Sequence, residues 1–390
     1  MARKSLTRAE TSCKKIYVYR CYDRRISQKG EKLHRRAVTA QEVADNLGLS
    51  LLSVYRALNG LAGVSPKTAD RVRAAAKEMG YAPNRAARHL SKRTKCTIGI
   101  SYYLPDWFAK QILEGCEQAF TELTSLGLST IVKGESDSYE AQIAQIRELA
   151  TSCNALALSV YEPRYFESLI DELTDAGIPV ATFNVDVPTS KRLFYIGCNY
   201  IESGKLCGEL VAKLTGRRPG KVAIVTKKQS ISILEQRIVG FRTVVAREPF
   251  LEIVGPIKLT ESPLDDEAQI SNLLATNPDV VGIYVANQSL SAAARAVKRA
   301  GRHGSVVLVG HDLNDEHSTL LGDGSVDAVV CQEPFYQGYY PVKILLDYVI
   351  DRIVPPTREV FTRLEVVMKE NLKYYATSHQ ASINRPAQMT

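Results

Sequence analysis

At 390 residues the chain is too long for one small domain and can bury a substantial core; its 45% hydrophobic and 24% charged content is ordinary for a globular protein. No apolar run reaches the ~18 residues of a membrane span, and the basic N-terminus lacks a secretory apolar stretch, so neither insertion nor export is expected and the cytoplasm is the straightforward location. The net charge of +8 is uneven: residues 1–97 hold 22 Lys/Arg against 7 Asp/Glu, and the remainder 28 against 35, a balance that suits phosphate binding at one end only.

Residues 1–38 carry 12 Lys/Arg, 3 Asp/Glu and one apolar patch, IYVYRCY. They read as a disordered basic extension that adds nonspecific attraction to DNA, unless translation in the cell begins further on. Eight cysteines are scattered at 13, 21, 96, 116, 153, 198, 207 and 331 with no CxxC pair, so neither a zinc site nor a disulfide framework is expected.

Residues 39–82 predict three short helices. The first covers about Ala40 to Asn46, buries Val43, Ala44 and Leu47, and is broken by Gly48. Ser50 caps the second, which runs to about Leu58 before Asn59-Gly60 stops it. Ser65 caps the third, with Pro66 in its first turn, where a missing N–H is no loss; Val72, Ala76 and Met79 share a face and Gly80 ends it. Two helices on a short turn, supported by a third, form the helix-turn-helix arrangement, in which the second helix enters a major groove. A helical cap on an enzyme is the competing reading, and the charge of this end weighs against it.

Residues 83–95 read as a hinge helix and linker. PNRAARHLS, Pro83 to Ser91, suits one more short helix but is too short to stand alone in water. Operator DNA and a partner subunit together would supply the surface it needs, with Asn84, Ala86 and Ala87 on the faces touching backbone and partner; without DNA, a plain flexible linker is the alternative.

Across residues 96–376, short β-branched runs alternate with amphipathic helices: TIGISYY, LSTIV, ALALSVY, PVATF and LFYIG, then KVAIV, EIVGP, VVGIYV, SVVLVG and VDAVV. Such repeats predict parallel sheets with helices on both faces. About ten strands are many for one open sheet and point to two α/β lobes. Neither GxGxxG nor GxxxxGK[ST] occurs, so no dinucleotide or nucleoside-triphosphate fold is supported. Residues 377–390 read as a flexible tail, and the absence of a leucine heptad after Asn371 argues against a coiled-coil tetramer.

EVADNLGLS, SVYRALNG, GVSPKTADRV, KEMGYAPN and the basic run into TIGI resemble the DNA-binding headpiece of the lactose-repressor family of bacterial regulators. The likeness continues to about Asn371, where the body is similar to the sugar-binding domain those repressors share with periplasmic pentose- and hexose-binding proteins. The resemblance implies an all-α helix-turn-helix headpiece plus an α/β two-lobed periplasmic-binding-protein-like domain of type I. Its three crossings are expected near Gly197–Asn199, Gln332–Pro334 and Thr362. It further implies a homodimer on pseudo-palindromic double-stranded operator DNA, a sugar or sugar derivative as effector, no cofactor and no membrane partner. The isologous contact is expected on the first-lobe helices beginning near Phe108 and Tyr139.

In that family the positions matching Leu51, Leu52 and Arg56 face base edges. Two leucines cannot hydrogen-bond and would touch thymine methyls; Arg56 would donate to guanine O6 and N7, or else bind phosphate. Ser50, Ser53, Tyr55 and Asn59 are expected to position the helix on the DNA backbone. Leu90 matches the leucine that the family's hinge helix wedges into the minor groove.

Parallel sheets bind ligands beyond the carboxyl ends of their strands. Trp107 and Phe108, Asn184 and Asp186, Asn287, Asp312 and Gln332 lie at those ends. Together they suit a polyhydroxylated ring, although a capping or turn role competes for each, most of all for Asn184 and Asp186. VGHD and VCQEPFYQG match family patterns around ligand contacts, which strengthens Asp312 and Gln332. Where many members read R-x-R-x-x-G-F, this chain reads EQRIVGF, which puts Glu235 at the ligand position and assigns Arg237 to packing. A buried lone carboxylate is costly, so Glu235 either points to solvent or meets a donor, an amino-bearing effector included.

His311 and His317 flank Asp312, but HDLNDEH has no recognised metal-ligand spacing and no nucleophile–base pair accompanies it, so no enzyme activity is expected. A purine-responsive regulator of the same architecture is the alternative within this class. A transport-type solute-binding protein is the alternative from another class; it would need export and no headpiece.

Overall fold

The computed structural model describes residues 38–59, 62–81, 95–134, 136, 138–228, 231–260 and 262–376. Most of the basic extension, the hinge positions Asn84, Ala86, Ala87 and Leu90, and the C-terminal tail lie outside the described residues.

Local chemistry builds the headpiece. At the start of α1 (Ala40–Leu47) the Thr39 hydroxyl accepts the Glu42 N–H at 3.2 Å, while Glu42 Oε2 accepts the Thr39 N–H at 2.7 Å, so two orphan donors are satisfied reciprocally. Gly48 ends this helix at φ 62, a conformation without cost for a residue that has no Cβ. Ser50 Oγ accepts the Ser53 N–H at 3.1 Å to open α2 (Leu51–Asn59), and Ser65 Oγ accepts the Thr68 N–H at 3.2 Å ahead of Pro66 in α3 (Pro66–Glu78). Val43, Ala44, Val54, Ala57, Val72 and Ala76 form the core. Leu47 and Met79 pack against it but stay partly exposed, because three short helices enclose little more than one layer.

The body contains two six-stranded sheets. The first comprises β1 (Cys96–Tyr102), β2 (Leu128–Lys133), β3 (Ala155–Ser159), β4 (Val180–Phe183), β5 (Phe194–Gly197) and β11 (Glu359–Phe361), in the order β11-β5-β4-β3-β1-β2 with every pair parallel. The second comprises β6 (Gly220–Lys227), β7 (Leu251–Leu259), β8 (Val280–Val285), β9 (Val307–His311), β10 (Ala328–Cys331) and β12 (Glu365–Val367), in the order β12-β10-β9-β8-β6-β7; here the β10–β12 pair is antiparallel. In β3, Ala155 and Ala157 join the cluster of Ile98, Ile112 and Leu345, whereas Leu156 and Leu158 join that of Ile146, Phe166 and Ile170. The period of two thus feeds two cores, one on each face, and each fully buried leucine contributes roughly 2 kcal/mol.

Helices α4 (Asp106–Leu123), α5 (Tyr139–Ala150) and α6 (Glu167–Asp175) belong to the first lobe. The second holds α7 (Tyr200–Leu214), α8 (Ser232–Val245), α9 (Pro263–Thr276), α10 (Leu290–Arg299) and α11 (Asp315–Gly322). After β10 the chain returns through α12 (Pro334–Asp351), which packs on α4; the short α13 (Lys373–Ala376) follows β12. Each lobe has one helix pair in backbone contact. A methyl at Gly115 or Gly338 would overlap a carbonyl across α4–α12, and one at Gly204 or Gly240 would do so across α7–α8.

The chain crosses between lobes at 198–199, 332–333 and 362–364, the places where the family resemblance put the crossings. Thr362 N–H donates to the Gly197 carbonyl at 2.9 Å, tying the first crossing to the third. The lobes also touch away from the hinge: Ile233, in the first turn of α8, packs against the first-lobe cluster that contains Val160, Phe166 and Val187.

Candidate effector cleft and DNA-reading helix

Helix α2 turns Val54 and Ala57 inward and leaves Leu51, Leu52 and Tyr55 exposed at 46%, 56% and 42%. Three large side chains on one solvent face are costly for a free domain and suit a partner surface. Ser50 and Ser53 share a hydroxyl–hydroxyl hydrogen bond of 2.9 Å at the helix start, where free N–H groups favour an anion. Arg56 is half-buried and lies beside Gly63, where an added methyl would stand 3.0 Å from its Nη1. The Asn59 side chain lies outside the described residues.

Across the hinge a chain of hydrogen bonds runs from lobe to lobe. Asn184, following β4, donates to Gln337 Oε1 at 3.3 Å; Gln337, on α12, donates to the Gln332 carbonyl at 2.9 Å. Gln332 Nε2 reaches both Asp312 oxygens, at 2.9 and 3.1 Å, and Asp312 meets Arg237 Nη2 at 3.4 Å. Arg237 Nη1 then donates to the Ala286 carbonyl at 3.1 Å, at the end of β8. All these side chains are buried, and Tyr200 closes the network, its hydroxyl donating to the Asn184 carbonyl at 3.0 Å under the Arg237 guanidinium. Burial works most strongly against the Arg237 charge, but Asp312, together with Tyr284, Cys198 and Tyr200, offsets it and lifts the guanidinium above its ordinary value. Arg237 Nε, also buried, finds no hydrogen-bond partner among the described residues.

Three cleft residues hold left-handed backbone without being glycine: Asn184 (φ 57), Asp312 (φ 61) and Glu333 (φ 52). Such conformations cost of order 1–3 kcal/mol each and concentrate where side-chain placement matters. A cavity of about 120 Å³ opens here, bounded by Trp107, Phe108 and Gln111 of the first lobe, Asp312 and Leu313 of the second, and the crossings. A larger hollow of about 310 Å³, lined by Asn154, Pro179, Lys191, Leu193 and Arg352 among others, lies at the opposite ends of β3–β5 and is not between the lobes.

The structure therefore brings together Trp107, Phe108, Asn184, Asp312 and Gln332, and treats three other expected ligand residues differently. Asp186 is held by Arg192 through Nε and, at 2.6 Å, Nη2, and accepts the Thr182 hydroxyl at 2.8 Å; its carboxylate braces the β4–β5 connection. Asn287 is buried but bonded within its own turn, donating to Ser289 Oγ at 3.0 Å, which in turn donates to Asp266 at 3.1 Å. Glu235 is exposed, so the cost of burying a lone carboxylate does not arise. Its neighbour Arg237, assigned to packing, is buried and paired with Asp312, so it also carries the cation of the hinge network. A signal for it exists, because Leu234, Arg237, Phe241 and Val245 form one buried stripe on α8, and a charge in such a stripe needs a partner. Gln337, Tyr200, Glu333, Glu365 and Tyr375 also went unread.

His311 points away from the cleft, its Nε2 2.8 Å from the Tyr284 hydroxyl and its Nδ1 3.3 Å from Ser203 Oγ, while His317 Nδ1 lies 2.9 Å from the Asp312 carbonyl. Among the described residues no group of three or more His, Cys, Asp or Glu is placed to hold a metal ion, and no helix is long and apolar enough to cross a membrane.

Comparisons with known proteins agree with this division. Residues 39–84 match the bacterial regulatory proteins of the lacI family, and residues 98–352 match the periplasmic binding protein domain. The chain is 26% identical to the helix-turn-helix transcriptional regulator CelR of Thermobifida fusca, over 84% of this chain and 96% of that protein. It is 24% identical to the xylose/arabinose-binding protein XylF of Sulfolobus acidocaldarius, over 70% and 69%. Among solved structures, GanP, a glucose-galactose binding protein from Geobacillus stearothermophilus, superposes with a TM-score of 0.65 at 24% identity, covering 72% of this chain and 99% of that one. These relatives are regulators and binding proteins. With its helix-turn-helix ahead of two hinged α/β lobes, the chain belongs to the lacI family of bacterial regulatory proteins and is a DNA-binding transcriptional regulator whose body is a periplasmic binding protein domain.

Proposed function

We propose that the protein is a cytoplasmic repressor that binds a pseudo-palindromic operator as a homodimer and answers to a small carbohydrate or polyol held between its lobes. The observation that carries the effector reading is the hinge-spanning chain from Asn184 to Arg237, buried throughout, whose Asp312 lines a ring-walled cavity between the lobes. Donors and acceptors fixed at both ends of a hinge suit hydroxyl groups, and Trp107 suits the apolar face of a sugar ring. Relatives support the class: XylF is a xylose/arabinose-binding protein, and another is the sucrose operon repressor of Streptococcus mutans.

In this reading residues 39–82 are the headpiece, 83–95 the hinge helix and linker, and 96–376 the effector and dimerisation domain. Leu51, Leu52 and Arg56 meet base edges, while Ser50, Ser53, Tyr55 and Asn59 set the helix on phosphate. Asn84, Ala86, Ala87 and Leu90 act once operator DNA and the partner subunit hold them. Trp107, Phe108, Asn184, Asp312 and Gln332, joined by Arg237, contact the effector. Closure moves the crossings and with them the start of β1, to which the linker is joined; a ligand that favours one lobe arrangement shifts the DNA-competent population by its differential affinity. A thermal-shift series on the whole chain with sugars, polyols and purines tests the effector class. Stabilisation by hydroxylated compounds supports it, and stabilisation by purines alone sinks it.

A further inference from the structure

The interlobe cavity is walled by rings and acids. Trp107, Phe108 and Tyr375 supply the rings, Asp312, Glu333 and Glu365 the carboxylates, and no lysine or arginine is among the residues lining it. Asp312 has its cation in Arg237. Glu365 does not: it accepts the Tyr375 hydroxyl at 3.2 Å, and no cation lies within ion-pair distance of it among the described residues. Glu333 Oε2 accepts the Arg363 backbone N–H at 2.7 Å. The antiparallel register pairs Glu365 with Cys331, the residue that leads into Gln332 and Glu333, so the second and third crossings deliver their acids to one wall.

Burial, then the charges of Asp312 and Glu365, push the Cys331 thiol well up; burial, then Glu365, raise the Tyr375 phenol to about 12. A second acidic pair stands on the far side of the strand ends, Glu162 after β3 and Glu235 on α8. Burial raises the Glu162 carboxyl, and Glu235 adds to the shift against the opposing pull of Arg164. Closing the rings of the first lobe over the carboxylates of this wall lowers the dielectric around them, which costs free energy unless a cation enters with the ligand.

We propose that the effector is cationic, a hydroxylated primary amine of the amino-sugar or amino-polyol class, with its ammonium against Glu365 and Glu333 and the faces of Trp107 and Tyr375. The proposal rests on reading this cavity as the effector site. Carboxylates and aromatic faces together hold an ammonium, whereas the Gln111 amide on the same cavity wall serves hydroxyl oxygens. A diamine lacking hydroxyls would leave that amide unmatched.

The test is calorimetric titration of the whole chain with glucosamine, galactosamine and 1-amino-1-deoxysorbitol, each beside its neutral hydroxyl counterpart; N-acetylglucosamine and putrescine complete the series. The amines are expected to bind at least tenfold tighter than their neutral counterparts and N-acetylglucosamine, and tighter than putrescine. Glu365→Gln should remove that preference, with Glu333→Gln as the second variant should the first fail to fold. Equal or tighter binding of the neutral sugars, putrescine binding tightest, or an amine preference that survives in both variants would overturn the proposal, the first of these leaving the carbohydrate reading intact. No binding by any hydroxylated compound, with purines binding instead, would overturn both.

Discussion

Replacing Arg237 by methionine keeps most of the side chain's volume and removes its charge. Asp312 would remain, buried, with only the Gln332 amide at 2.9 and 3.1 Å to compensate it, and the Ala286 carbonyl would lose its donor. Breaking one side of a buried ion pair costs about 3–5 kcal/mol, most of it the penalty on the charge left behind. Because Gln332 retains its hold on Asp312, about 3 kcal/mol is expected. Asp312→Asn should cost a similar amount by stranding the guanidinium. The double variant buries no charge and should cost about 2 kcal/mol or less, so the cycle yields a coupling of several kcal/mol. Urea unfolding of the four proteins, with slopes compared to confirm a common transition, measures all of it. A loss below about 1 kcal/mol for Arg237→Met, or two single costs that simply add, would refute the view that this pair is the charged centre of the hinge network.

Three further outcomes follow from the structure. Leu52→Ala alters an exposed side chain and should leave the headpiece stable, while narrowing the ratio of operator to random-DNA affinity; Arg56→Ala should relax base preference at a single operator position, and equal losses on both DNAs would assign these residues to phosphate instead. For pH, burial first and the Arg237 charge second hold His311 well below the ordinary imidazole value of 6.5. The unfolded chain therefore takes up a proton below that value while the folded chain does not, so the contribution is present above pH 6.5 and lost as pH falls, by about 1.4 kcal/mol per unit. His311→Gln should flatten the stability profile between about pH 6.5 and 5 by one proton's slope, and an unchanged profile would show that His311 is not buried neutral.

The headpiece was legible because its signals are local. Ser50 and Ser65 each cap a helix from within three residues, and Gly48 ends one by the same short-range logic. Paired sheets could be read because each strand carries its own apolar run and each lobe must cover both faces, whereas the crossings came from the family resemblance. The cleft was legible in part. Strand ends locate Asn184, Asp312 and Gln332, but nothing in residue type separates Asp312, which meets Arg237 from a distant helix, from Asp186, which meets Arg192 six residues on. Glu365 and Tyr375 escaped notice because they reach the cavity only after β12 pairs back on β10.

The central claim is that the cleft and the operator share one free-energy balance. It is tested most directly by measuring the affinity of the whole chain for an operator duplex, enriched from a randomised pool, with and without the compound that most stabilises the body. The account predicts that the compound changes operator affinity by about fivefold or more, and that operator changes affinity for the compound by the same factor. An operator affinity that stays constant while the cleft is demonstrably filled would contradict it.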